Sequence, residues 1–329
     1  MWDGRRTVSA IALLVAIPTS AGAQSEIQDW MNPTLGEMTP RVEYKLVYYP
    51  EEQVHGQPTN LRLLEHSFNI AVPVAQDPSN EWSLTGDTSY KRLGTSARLP
   101  DTHRRLPDEL WNVELDGAYR HKFDNDWIGA LGVTVGSPSD KPFDSLRGET
   151  VLRVVIMLRI PYRERDAWIL SLYYGSDTEF LGGIPVPGLA YNWVPSDHFN
   201  AVIGAPFSSV EYKPIDPLTL EAQYFPVRRL RARATYQLFR PVRLFTGFDI
   251  DNDYYFLADR QFRSERLWYY EKRAQAGARF DLRHVGFQVR GGYAFDRYYF
   301  TGNDYHDRLH DRISVDPGPF VTAGMSVRF

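Results

Sequence analysis

The 329-residue sequence predicts an all-β fold: an antiparallel transmembrane β-barrel of the outer-membrane type, with about 14 strands and a range of 12 to 16. Three observations predict it. Apolar residues recur at every second position along most of the chain, no run beyond the N-terminus is long enough for a membrane helix, and the chain opens with an export pattern.

The N-terminal element comes first. Arg5 and Arg6 precede an apolar run from Val8 to Ile17, followed by Pro18 and the small-residue site Ala21-Gly22-Ala23. A charged start, an apolar middle and a small-residue exit in that order read as a secretory signal, cleaved after Ala23. Gln24 is not a cysteine, so no lipid anchor is expected. Residues 24–40 then form a polar periplasmic stretch, and residues 41–329 form the barrel.

Composition narrows the function classes. With no cysteine there is no disulfide framework, thiolate metal site or cysteine nucleophile. The 37 basic and 41 acidic residues give a net charge of −4, whereas a nucleic-acid surface calls for a basic excess, so no nucleic-acid partner is expected.

The strands follow from period-two alternation, which puts successive side chains on opposite faces. In 111–123, Trp111, Val113, Leu115, Gly117, Tyr119 and Phe123 oppose Asn112, Glu114, Asp116, Arg120 and Lys122. In 229–239, Arg229, Arg231, Arg233, Thr235 and Gln237 oppose Leu230, Ala232, Ala234, Tyr236 and Leu238. In 285–296, Val285, Phe287, Val289, Tyr293 and Phe295 oppose Gln288, Arg290 and Asp296. Weaker alternation marks 41–49, 61–72, 81–90, 127–135, 150–160, 167–174, 188–194, 199–212, 218–225, 242–254 and 267–282, and the last strand is 318–329. Many segments run to about ten residues, the length a tilted strand needs to cross the hydrocarbon layer.

The apolar faces are expected to meet lipid. Trp127, Trp168, Trp193, Trp268, Tyr269, Tyr270, Tyr298, Tyr299 and Phe300 gather at strand ends, as the interfacial girdles of a barrel require. Lys272 and His121 break the apolar parity and are placed at strand ends, within reach of the interface.

Loop lengths predict sidedness. The connections 50–60, 91–108, 136–149, 175–187, 256–266 and 297–317 are long and fall outside. Those at 77–80, 124–126, 163–166, 240–241 and 282–284 are short and fall on the periplasmic side. Counts from the two termini clash by one strand, and the region 188–213, interrupted by Pro195 and Pro206, is where a strand is split or lost. The final segment PFVTAGMSVRF alternates and ends on Phe329, which resembles the C-terminal signal read by barrel-assembly machinery. That strand is expected to pair with the first, so that no edge is left in lipid. Outer-membrane lipids and the assembly machinery are the expected partners, and the bacterial outer membrane of a Gram-negative cell the expected location.

From Gly188 to Leu220 the sequence reads GLAYNW, then FNAVIGAPFSSVEYKP and PLTL. This stretch resembles a family of bacterial outer-membrane β-barrel proteins defined only as a domain of unknown function. The resemblance implies a fold and a location but no activity, and no functional residue carries over.

Candidate chemistry is sparse. In HDRLHD, His306 and His310 are spaced i, i+4 beside Asp307 and Asp311, a distant likeness to H-E-x-x-H zinc sites. Asp replaces Glu, the segment is polar, and no third ligand is evident, so no metal site is assigned. His121 is the best candidate for a phospholipase-like histidine at the lipid face, against the simpler reading of an interfacial histidine. No catalytic residue and no cofactor is assigned.

The inward parity is more informative. It collects Arg153 and Arg159, the triplet Arg229, Arg231 and Arg233, then Arg243, Arg273, Arg279, Arg290 and Arg328. Opposed to them are Glu114, Asp116, Glu221, Asp249, Asp251, Glu271 and Asp281. Such a wall either lines a water-filled passage that favours anions or cross-links into salt-bridged layers. The expected function is a passive channel for small polar or anionic solutes. A closed structural or binding barrel, or a barrel enzyme of phospholipase or protease type, is the alternative.

Overall fold

Seventeen strands, all paired antiparallel, form one sheet that closes on itself in the computed structural model, which describes residues 35–145, 148–177, 183–226 and 228–329. The signal segment expected at 1–23 lies outside the described residues, as do residues 24–34. In chain order the strands are β1 (Arg41–Gln53), β2 (Asn60–Gln76), β3 (Asn80–Gly94), β4 (Glu109–Lys122), β5 (Ile128–Ser139) and β6 (Val151–Tyr162). Next come β7 (Asp166–Gly175), β8 (Val186–Ser196), β9 (Phe199–Ala205), β10 (Ser208–Ile215), β11 (Leu218–Phe225) and β12 (Arg229–Phe239). The set ends with β13 (Val242–Tyr255), β14 (Arg266–Leu282), β15 (Val285–Gly302), β16 (Arg312–Val315) and β17 (Gly318–Arg328).

From β1 to β16 each strand pairs with its sequence neighbour, β17 pairs with β15, and β1 pairs with β17 from Arg41↔Arg328 to Tyr48↔Val321. First and last strands thus meet as expected, and the cylinder has no free edge. The short β16 pairs with the upper part of β15, above the stretch that β17 occupies. Seventeen less this one leaves sixteen strands around the wall, the upper limit of the expected range. The fifteen alternating segments of the sequence become sixteen strands because segment 199–212 is two strands, β9 and β10, separated by Pro206-Phe207. Proline lacks the N–H a central ladder needs, so pairing stops there and the chain reverses. This second reversal removes the one-strand clash between the two counts.

The connections at one end are tight, from the two residues 240–241 to the five residues 123–127. At the other end run 95–108, 140–150, 176–185, 256–265 and 303–317. Side chains alternate as the sequence predicts: Leu115, Ile156, Leu170, Ile203, Val289 and Val321 point away from the barrel and are exposed on its outside. Toward the turn end this belt finishes in aromatics, with Trp82 stacked on Tyr119 at 4.2 Å and Trp168 packed on Tyr191 at 4.8 Å. Toward the loop end His66, Tyr90 and Trp111 form a second band. His121 lies outward at the end of β4 as expected, whereas Lys272, also outward, lies inside β14 and not at its end. His121 has its Nδ1 2.8 Å from Asn80 Oδ1, and Lys272 pairs with Asp296 at 2.6 Å.

The aromatics of β14 and β15 depart from the expectation. Trp268, Tyr269, Tyr298, Tyr299 and Phe300 are buried rather than set in a girdle, with Trp268 fully inaccessible. Beyond the membrane belt β13, β14 and β15 continue as a three-stranded flap, and both of its faces are covered. A bulge between Tyr270 and Lys272, opposite Asp296 at φ 50°, switches the facing of β15 where the flap begins.

Candidate functional site: a closed mouth above an arginine-lined lumen

A sixteen-strand cylinder is wide enough to leave an aqueous channel unless something fills it. Here the chain fills it with its own flap. One flap face, with Tyr255, Leu267, Tyr269 and Tyr299, belongs to a core that includes Tyr49, Leu61, Leu93 and, from the 95–108 loop, Leu99 and Leu106. The opposite face, with Tyr254, Trp268, Tyr298 and Phe300, packs with Phe256 and with Val151 of β6. The tip reaches the far wall: Phe256 N donates to Pro138 O of β5 at 2.8 Å. In a ring of sixteen, β13 and β5 lie eight positions apart counted either way, so the flap crosses the whole mouth.

Charged contacts fix it there. Lys91 of β3 pairs with Asp253 at 2.7 Å, and Arg260 in the flap tip pairs with Glu149 at 2.8 Å. Arg153 of β6 bonds Glu114 and Asp177, each at 2.9 Å, and donates to the Tyr254 hydroxyl at 3.1 Å. Deeper in the core, Arg297 lies with its guanidinium 4.7 Å from the Tyr49 ring centre, a cation–π contact strengthened by exclusion of water.

Below the flap is a polar cavity of about 460 Å3, roofed by Tyr254 and Tyr255 and reaching Arg243, Arg279 and Arg328 at the turn end. Of the seventeen charged residues expected on the inward face, thirteen line this cavity, and their environments differ. A layer under the roof is paired: Arg229 with Asp251 at 2.9 Å, Arg231 with Asp249 at 3.2 Å, and Arg273 with Glu271 at 3.1 Å and with Asp251. Glu271 also accepts from the Tyr49 and Tyr269 hydroxyls at 2.9 and 2.7 Å. At the turn end Arg243 and Arg279 share Asp281. Between these layers Arg233 and Arg290 reach no carboxylate among the described residues, and Glu221, opposite Arg233 in the β11–β12 register, forms no ion pair with it.

The arginines do not encircle the lumen. On the β6–β9 wall Met157, Ile169, Ala190 and Val202 face inward and pack with Phe207 and Phe225. Arg159 and Asp116 point inward without lining the cavity, and Asp116 accepts from the Thr134 hydroxyl. Sequence reasoning missed the apolar half, since Met, Ile and Val satisfy the outward and the inward face alike.

The histidine candidates are not brought together. His306 lies in a single 3-10 turn, residues 305–307, so it does not share a helical face with His310. Its Nδ1 sits 3.1 Å from Asp304 Oδ1. The Asp311 carboxylate instead accepts from Thr301 and from Thr102 Oγ1, the latter at 2.7 Å, tying the 303–317 loop to the 95–108 loop.

Closed sheet, apolar belt between aromatic bands, and polar lumen together define an integral membrane β-barrel of the outer-membrane type. No helix among the described residues is long and apolar enough to cross a membrane; the strands cross it. No family model and no curated protein matches the chain. Among solved structures it is similar to an outer membrane channel from Pseudomonas putida F1, at 10% identity over 91% of this chain and 98% of that one, with a TM-score of 0.35. It is also similar to the translocator domain of the autotransporter NalP from Neisseria meningitidis, at 10% identity over 94% and 96%, with a TM-score of 0.32. A deltaS2 mutant of the TodX monoaromatic hydrocarbon channel matches at 8% identity over 88% and 89%, with a TM-score of 0.37.

Proposed function

We propose that the protein is a conduit for small anionic solutes in the bacterial outer membrane, shut at its extracellular mouth by its own flap. With the short turns on the periplasmic side, as in barrels of this class, the lumen opens toward the periplasm. Lipid contacts along the belt, and recognition of β17 by barrel-assembly machinery, belong to the same reading. One observation carries it: the polar cavity of about 460 Å3 ends beneath Tyr254 and Tyr255 instead of running through. A purely structural barrel would fill that volume with neutralised pairs, whereas part of the arginine wall keeps its charge available.

Planar-bilayer recording tests the reading. The purified, folded protein is expected to pass almost no current, and the double substitution Tyr254→Ala, Trp268→Ala to give discrete steps with a reversal potential on the anion side in a potassium chloride gradient. Steady wild-type current, or cation preference in the opened variant, overturns it.

A further inference from the structure

The lumen contains one layer in which positive charge is neither paired nor released to bulk water. Arg290 on β15 is 8% exposed and lines the cavity, yet its Nε has no hydrogen-bond partner and it makes no ion pair among the described residues. Thr322, directly across the β15–β17 ladder from Arg290, is also buried on the cavity wall, and its Oγ1 is likewise without a partner. On the other side of Arg290, β14 places Gly277 and β13 places Phe245 in the same cross-strand row. A Cβ on Gly277 would lie 2.7 Å from Arg290 Cβ and 2.8 Å from Phe245 Cζ, so the glycine is what lets the phenyl ring approach the arginine stem. The row continues to Thr235 on β12, and Arg233, two residues earlier on the same face of that strand, has its guanidinium 5.1 Å from the Phe245 ring centre.

A guanidinium nine-tenths buried beside a hydroxyl with nothing to bond, with a second unpaired guanidinium on the neighbouring phenyl ring, has a steep desolvation cost unless an anion completes the group. Asp249, Asp251 and Glu271 are drawn upward to Arg229, Arg231 and Arg273 and Asp281 downward to Arg243 and Arg279, while Glu221, across the ladder from Arg233, forms no ion pair with it. We propose that Arg233, Arg290 and Thr322 form a binding site for one small oxyanion group, a carboxylate or a phosphate, held by charge-assisted hydrogen bonds from both arginines and by the threonine hydroxyl. The site rests on the reading of the lumen as open to the periplasm, and it names what that lumen retains.

Isothermal titration calorimetry on the full, detergent-folded chain tests it, with inorganic phosphate and succinate as separate probes at constant ionic strength. Saturable binding of either probe is expected, weakened about tenfold or more in Arg290→Gln and in Arg233→Gln, since a charged hydrogen bond contributes about 1.5–3 kcal/mol. Thr322→Val should weaken it by a smaller factor, and Arg243→Gln, at the periplasmic rim, should leave it unchanged. Heat-modifiable migration verifies that each variant has folded. The probe bound more tightly identifies the head group, and either result supports the site. Binding that ignores Arg233 and Arg290, binding lost equally in Arg243→Gln, or no saturable binding at all overturns it. Those outcomes leave the closed mouth untouched, because it is read separately as current across a bilayer.

Discussion

Arg153 on β6 and Asp177 beyond the end of β7 form a buried ion pair at 2.9 Å, and the Tyr254 hydroxyl of the flap donates to the same Asp177 carboxylate. Wall, loop and flap thereby share one charge. Burial alone would raise the Asp177 carboxyl, but Arg153, the Tyr254 hydroxyl and Arg228 together outweigh it and hold the group below its usual range. Removing Arg153 leaves Glu114 and Asp177 without their cation inside protein, and breaking such a pair costs about 3–5 kcal/mol. Arg153→Met is therefore expected to unfold at lower urea than the parent in refolding titrations, and to show brief current steps in bilayers. A variant as stable and as silent as the parent would remove this contact from the closure.

The lipid belt gives a sharper sign. Leu115 lies midway between Trp111 and Tyr119 on β4 and points outward with 59% of its surface exposed. Leu115→Arg at that depth is expected to cost about 2–4 kcal/mol of folding stability in liposomes. Thr85→Arg, on the inward parity beside Asp116 in the β3–β4 register, should cost less than about 1 kcal/mol. Equal costs at the two sites would contradict the assignment of faces.

Asp311 makes the loop layer acid-sensitive. Burial pushes its carboxyl up, but hydrogen bonds from Thr301, Thr102 and the Asp101 amide overcome this and leave it below the usual carboxylate range. A carboxyl depressed in the folded state stabilises it above the unfolded value of about 3.9, and the contribution disappears as pH falls through the lower folded value. Hydrogen exchange at residues 95–108 is thus expected to accelerate below about pH 4. In Asp311→Asn it should be fast at every pH, with protection reduced by about 1–3 kcal/mol.

Much of the wall was legible because one parity rule suffices where one face meets lipid and the other water. Leu230 against Arg231 and Val289 against Arg290 needed only alternation. The flap was harder to read. Its runs Tyr254-Tyr255-Phe256-Leu257, Leu267-Trp268-Tyr269-Tyr270 and Tyr298-Tyr299-Phe300 interrupt the alternation, and a short continuous apolar run is the mark of a strand covered on both faces. Read as girdle aromatics they fitted a barrel just as well, because both environments favour the same residues. The lumen site was illegible for a different reason: Arg290 and Thr322 lie 32 positions apart in the chain and meet only through the β15–β17 register. Which arginine finds a carboxylate depends on that register, and alternation does not specify it.

Those two environments are separable by fluorescence, because they differ in access to lipid. Trp168 stands on the outer face with 40% of its surface exposed, whereas Trp268 is fully enclosed between Tyr254 and Phe300. In vesicles with brominated acyl chains, only tryptophans that touch lipid lose emission. Trp168→Phe should therefore reduce the fraction of the signal that bromine quenches, while Trp268→Phe should increase it by removing an unquenched emitter. Trp268→Phe keeps an aromatic ring in the flap and costs little packing volume, so the mouth stays shut and the comparison isolates location. If Trp268→Phe instead reduced the quenched fraction, that side chain would face lipid, the flap would stand upright in the wall, and the lumen beneath it would have no roof.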